Sequence, residues 1–126
     1  MNKVDTIHKQ DLIINAVFHL SKLERITKDE SKINGGFFRL KKEFPEYFNT
    51  LLFNENWQSP ISNDLNNILS IFKLSGMLCS GELGIFGKYY NFFRDEEYAE
   101  RLKDDFSADD IVEIQEMANK FREYIQ

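Results

Sequence analysis

The chain predicts a mainly α-helical fold with one small β-hairpin. Three observations carry this. Apolar residues recur at helical spacing in several separate segments. Two short β-prone runs flank a glycine-spaced loop at residues 81–87. Serine, proline and glycine punctuate the boundaries between these segments.

The stretch from Ser59 to Phe93 is the most specific and sets the frame for the rest. Serine at position 59 is a good helix N-cap, because its hydroxyl accepts from a free amide of the first turn. Pro60 then fits the first helical position, where its missing N–H is not needed. Ile61, Leu65, Ile68, Leu69 and Phe72 follow at i, i+4, i+7, i+8 and i+11, one apolar stripe along a helix. Ser62, Asn63, Asn66, Asn67 and Ser70 take the opposite face. Gly76 suits the position after the helix, where positive φ costs glycine nothing. Met77-Leu78-Cys79 and the run from Lys88 to Phe93 are β-type in composition. The loop between them is too long for a two-residue turn and reads as a wing.

Before this stretch, residues 5–24 predict a first helix. Leu12, Ile13, Ala16, Val17, Leu20 and Leu23 form its face, widened by Ile14 and Phe18. A helix this apolar belongs at the centre of a fold, covered on more than one side. Ile26 and Thr27 form a short β-type link. Thr27 or Asp29 caps a second helix to about residue 44. Its Gly35-Gly36 pair costs about 1 kcal/mol per glycine relative to alanine, so either the helix starts after the pair or another segment packs closely there. Pro45 ends it and opens a short third helix with Tyr47, Phe48, Leu51, Leu52 and Phe53 apolar.

After Phe93, residues 95–105 predict a short helix with Tyr98, Leu102 and Phe106 facing inward. Ser107-Ala108-Asp109-Asp110 is the serine-x-x-acid signature of a helix start. The last helix then runs to about residue 124. Ile111, Ile114, Ala118, Phe121 and Ile125 step by 3, 4, 3 and 4, a seam for packing lengthwise on another helix. That seam must meet the body of the domain, a copy of itself or a foreign partner.

Composition bounds the answer. The 126 residues fit a single domain, with a body over 5–93 and C-terminal helices over 94–126. Apolar residues make up 42%, with twelve phenylalanines, so a real core is expected rather than disorder. No apolar run has the roughly 18–20 residues of a membrane helix. The first ten residues are polar, without the apolar segment of a secretory leader, and a cytoplasmic location is expected. Net charge is −5, held by the second half: residues 1–57 carry 9 Lys/Arg against 8 Asp/Glu, residues 58–126 carry 7 against 13. Such a half repels polyanions unless a local patch overrides it.

Catalytic, metal and cofactor chemistry find no constellation here, and no enzyme is expected. Cys79, the only thiol, sits in an apolar strand and reads as a packed residue. His8 and His19 are eleven apart, which fits no metal site. Gly81, Gly84 and Gly87 lie between two strands, whereas a phosphate loop needs a strand and a helix N-terminus. The carboxylates between Asp95 and Asp110 read as a solvated helix face. Leu83, Ile85 and Phe86, at the loop tip, and Ile111, Ile114 and Phe121 on the last helix are the candidate protein-binding residues. Arg39, Lys41 and Lys42, with Lys32 nearby, are the one basic cluster. Asn63, Asn66 and Asn67 have side chains able to read adenine edges. The nucleic-acid alternative rests on these six.

Helix, β-type link, two helices and a hairpin wing is the order of a winged helix-turn-helix domain. Ser59-Pro60-Ile61-Ser62, the helix over 65–72, Ser75-Gly76-Met77-Leu78 and the aromatic strand over 89–93 resemble its third helix and wing. The layout is also similar to small prokaryotic domains of the Panacea antitoxin type, which carry a Tyr-Gly-Pro-Tyr-Ser-like turn before a helix. Here that turn reads Trp57-Gln58-Ser59-Pro60-Ile61-Ser62, without the glycine, and the Leu-Gln-Lys-Leu signature of the preceding helix is absent. The resemblance implies a winged-helix-like body with a C-terminal helical extension. It implies a non-enzymatic adaptor, inhibitor or accessory subunit of prokaryotic or phage origin that binds a protein or a second copy of itself. A dimeric DNA-binding regulator is the alternative.

Overall fold

The computed structural model describes residues 5–23, 25–55, 60–74, 78–79, 89–92 and 96–125. The elements run α1 (Asp5–Leu20), β1 (Arg25–Thr27), α2 (Glu30–Glu43), a 3-10 turn (Pro45–Tyr47), α3 (Asn63–Leu74), β2 (Leu78–Cys79), β3 (Tyr89–Phe92), α4 (Glu96–Leu102), a second 3-10 turn (Lys103–Asp105) and α5 (Ala108–Ile125). The described fold is mainly helical, with one small sheet.

The centre of the molecule is α1. Every residue from 13 to 21 is buried, around all sides of the helix. Phe18 shows why: its ring lies 5.8 Å from Phe37 of α2, 5.6 Å from Phe72 of α3 and 5.2 Å from Phe121 of α5. A helix that touches three others needs apolar side chains on more than one face. Leu12 departs from the expected face and is 40% exposed. The helix stops at Leu20 rather than continuing to residue 24, because Lys22 takes a positive φ of 59°. Ser21 seals the end, donating its Oγ–H to the Phe18 carbonyl at 2.7 Å.

Asp29 caps α2 by accepting from the Ser31 amide at 2.9 Å. Both glycines lie inside the helix. Gly36 is there because α5 crosses at that point: a β-carbon on it would sit 3.2 Å from Ile125 and 3.3 Å from Phe121. Gly35 has no such neighbour. The expected third helix is only the Pro45–Tyr47 turn. Phe48 and Leu51 are nevertheless buried, so the apolar residues there anchor an irregular segment instead of forming a stripe.

The start of α3 is a correction. Ser62, not Ser59, is its N-cap: the Ser62 Oγ accepts from the Leu65 amide at 3.2 Å and its carbonyl accepts from the Asn66 amide at 3.0 Å. Ile61 is outside the helix, paired by a two-way backbone bridge with Asn54. Pro60 therefore precedes the helix rather than opening it. The inward stripe itself holds, with Leu65, Ile68, Leu69 and Phe72 buried. Ser59, Gly76 and the 81–87 loop lie outside the described residues.

The sheet has three strands in the order β1-β3-β2, all pairings antiparallel. Ile26 is opposite Tyr90, and Leu78 is opposite Phe92. The link between α1 and α2 is thus a strand, joined to the predicted hairpin.

Helix α4 begins at Glu96 and is a turn shorter than expected, its last part being the 3-10 turn. Leu102 is buried, and Phe106 packs against the core. Tyr98 is half-exposed, edge-on to the buried His19 at 4.9 Å, and its hydroxyl accepts from Asn15 Nδ2 at 2.9 Å. Ser107 caps α5 by accepting from the Asp110 amide at 3.2 Å. Ile114, Met117, Ala118, Phe121 and Ile125 of α5 belong to the same core as α1 and α2.

Candidate interaction surfaces

The seam of α5 meets the body of its own chain. Ile114 and Phe121 are fully buried. Phe121 packs 4.7 Å from Phe37 as well as against Phe18. These two candidate partner-binding residues are therefore core residues, and a partner reaches them only if the core opens. Ile111, at the start of the seam, is half-buried. The outward face of α5 is polar apart from the exposed Val112. Leu83, Ile85 and Phe86 lie outside the described residues.

The basic cluster lies on the last turns of α2, where the negative end of the helix dipole favours cations. Each cation lies over an aromatic ring. The Arg39 guanidinium is 3.9 Å from the centre of Tyr124, Lys42 is 4.4 Å from Phe38, and Lys41 is 6.0 Å from Phe53. Lys120 of α5 joins them, 5.6 Å from Phe44. Lys41 also donates to the Leu51 carbonyl at 2.8 Å. The sequence marks the cations but not the rings beneath them. The tandem Phe37-Phe38 immediately before Arg39 is the signal that was there to read.

Glu43 ties this end of α2 to α5. It accepts from Lys120 and from the Tyr124 hydroxyl. Lys120, then Tyr124, holds the Glu43 carboxyl below the usual carboxylate value. Conversely, Glu43 raises both Lys120 and Tyr124. Further along the chain, the Tyr47 hydroxyl lies 2.7 Å from Asp110 and also contacts Glu113. Burial, then these two carboxylates, pushes the Tyr47 hydroxyl well above its ordinary value.

The three asparagines are not equivalent. Asn63 and Asn67 are exposed. Asn66 is half-buried and its Oδ1 accepts from Asn34 Nδ2 at 3.0 Å. Asn34 is a fully buried polar node: it also donates to the Glu30 carbonyl at 2.8 Å, and its Oδ1 accepts from the Ser62 amide at 2.8 Å. It locks α2 to the first turn of α3. Asn66 thus has a structural duty.

Beside Asn63 and Asn67 the outward face of α3 presents Ile71, 59% exposed, and Leu74, 88% exposed. Positions 67, 71 and 74 fall on one stripe at i, i+4 and i+7. Helical arithmetic on the inward stripe already puts 71 and 74 outside, so this face was readable in the sequence. Lys73 leans away to Glu30 at 3.2 Å. Asp64 accepts from the Leu52 amide at 3.3 Å.

One surface cavity of about 240 Å³ lies among α1, α4 and α5, with His19, Glu96, Glu100, Lys103 and Gln115 on its walls. Lys103 is paired with Glu100 at 3.1 Å, and the walls hold no serine, threonine or cysteine that could act as a nucleophile. Among the described residues no group of three His, Cys, Asp or Glu side chains is placed to hold a metal, and no helix is long and apolar enough to cross a membrane. No protein-family model matches the chain, and no curated protein or solved structure matches it at a significant level.

Proposed function

We propose that the chain is a non-enzymatic protein-interaction module, an adaptor, inhibitor or accessory subunit, built on a winged-helix-like body. The order helix, strand, helix, helix, strand, strand and the sheet order β1-β3-β2 support the architecture. The observation that carries the function is the outward face of α3. In a DNA reader of this layout, that face enters the groove and needs cations or base-reading side chains. Here Asn63 and Asn67 are exposed, but what stands beside them is two apolar side chains, Ile71 and Leu74, the carboxylate of Asp64, and a lysine already paired with Glu30. Exposed apolar side chains close together on a helix suit contact with a protein.

The test is Ile71→Glu with Leu74→Glu in the tagged full chain. Both side chains are exposed, so unfolding temperature and circular dichroism are expected to stay unchanged. Proteins retained by the wild type from a nuclease-treated extract of its own cells are expected to be lost from the variant. Equal retention by the variant overturns the assignment to α3. Tight binding to duplex DNA that survives about 200 mM salt replaces the whole reading with the regulator, since nonspecific phosphate contacts weaken steeply in that range.

A further inference from the structure

We propose that the C-terminal end of α2 is a docking surface for a short acidic polypeptide segment carrying an apolar side chain. It lies away from Ile71 and Leu74: Lys73 of α3 pairs with Glu30 at the start of α2, while this surface is built on the helix's last turns, about 14–18 Å along at 1.5 Å per residue.

The surface combines charge with apolar area. Arg39, Lys41, Lys42 and Lys120 gather at one end of a chain whose net charge is −5. Among the described residues no carboxylate forms an ion pair with Arg39, Lys41 or Lys42, although Arg39 acts on the nearby Glu43 carboxylate through space, whereas Lys120 is matched directly by Glu43 and Glu116. The rings under the cations are only half-buried, and Phe38 and Phe53 pack together at 5.3 Å. Leu52, 67% exposed, lies next to Phe53 in the chain. An exposed cation over a ring is weakly held, so a carboxylate draws it off readily and uncovers the ring for an apolar side chain. A segment that brings both groups satisfies both.

The borders limit the length of the partner. Asp64 sits at Leu52, and Glu43 and Glu116 sit at Lys120. A long polyanion crossing the surface runs into like charge at both sides, at a repulsive cost. A short acidic segment stays between them. The nucleic-acid alternative puts the same three α2 cations on phosphates. Their position over rings and between carboxylates favours a peptide.

Fluorescence anisotropy of a labelled synthetic peptide of alternating glutamate and phenylalanine, titrated with the full chain, tests this. Binding is expected to weaken with salt. It is also expected to fall at least about tenfold when glutamine replaces the peptide's glutamates, or in the exposed-site variant Arg39→Gln with Lys42→Gln. Ile71→Glu with Leu74→Glu is expected to leave it unchanged, which separates this proposal from the reading of α3. Absence of binding, equal binding by the glutamine peptide or by the Arg39/Lys42 variant, or displacement of the peptide by oligothymidylate at lower concentration overturns it.

Discussion

Placing alanine at Gly35 and at Gly36 in turn is expected to move stability differently, although the two are neighbours in one helix. At Gly35 the new methyl group meets nothing within 4 Å. Only the backbone effect operates, and alanine gains about 0.5–1 kcal/mol over glycine in a helix interior. At Gly36 the methyl carbon falls 3.2 Å from Ile125 and 3.3 Å from two atoms of the Phe121 ring. Carbon contacts are most favourable at about 3.5–4.0 Å, so something must yield. Ile125, in the last turn, can shift. Phe121 cannot, since it is wedged 4.7 Å from Phe37 and 5.2 Å from Phe18. The strain therefore offsets the backbone gain, and Gly36→Ala is expected to leave stability nearly unchanged. Leucine separates the sites further. Gly35→Leu keeps most of the gain, while Gly36→Leu overpacks the α2–α5 contact and costs about 1–3 kcal/mol. Urea unfolding followed by circular dichroism measures this, provided the slope with denaturant is unchanged. If Gly36→Leu is as stable as Gly35→Leu, α5 does not cross α2 at this glycine, and the account of the core around Phe121 fails.

Other outcomes are equally specific. Asn34→Ala leaves the Ser62 amide buried without its acceptor and is expected to cost about 1–3 kcal/mol in thermal unfolding, so a loss under about 0.5 would refute the node. Leu69→Ala is expected to cost about 2–5 kcal/mol, as a buried leucine. Truncation after Phe106 removes Ile114, Met117, Ala118, Phe121 and Ile125 from the core. Their combined loss exceeds the roughly 5–15 kcal/mol that holds a domain together, so the truncated chain is expected to lack cooperative unfolding and cleanly dispersed amide resonances. For Glu43, the folded state holds the carboxyl below its ordinary 4.5, chiefly through Lys120. A depressed value means a contribution that is present above 4.5 and lost as pH falls through the folded value. Wild type and Glu43→Gln are expected to differ in unfolding temperature at neutral pH and to converge in acid, and a constant gap down to strongly acid pH would remove Glu43 as the cause.

Periodicity made most of this fold legible. The stripe of α3 from Leu65 on, the seam of α5 from Ile114 on, the cap Ser107 and, of the two caps offered for α2, Asp29 are all local patterns that the structure uses. What local pattern does not encode is the partner of each face. The seam of α5 says that a neighbour exists. That the neighbours are α1 and α2 follows from matters far away in the chain: the width of the apolar surface on α1 and the missing side chain at Gly36. Read together, those two features imply that something must fill the space beside α2, and α5 fills it. The start of α3 was misplaced for a related reason. Ser59-Pro60 and Ser62 are both plausible starts by their own chemistry. The choice goes to Ser62 because its amide has a remote acceptor in Asn34 and Ile61 is taken by Asn54.

The surfaces were harder to read than the core for a physical reason. A core position declares itself by repetition, since burial selects apolar residues at a fixed period. A surface position has no such rule, and its meaning depends on what lies beside it. Lysine at 41 or 42 serves the nucleic-acid alternative, as a phosphate contact, when only the sequence neighbours are visible. It reads otherwise once Phe53 and Phe38 lie beneath it and Asp64 closes one side. Ile71 and Leu74 show the converse. Naming the inward stripe of α3 already assigns them to the outside, because one helix cannot turn both sets inward. Their exposure was therefore contained in the argument that buried Leu65, Ile68, Leu69 and Phe72. That apolar pair, forced outward by the same periodicity that builds the core, is the feature on which the proposed protein contact rests.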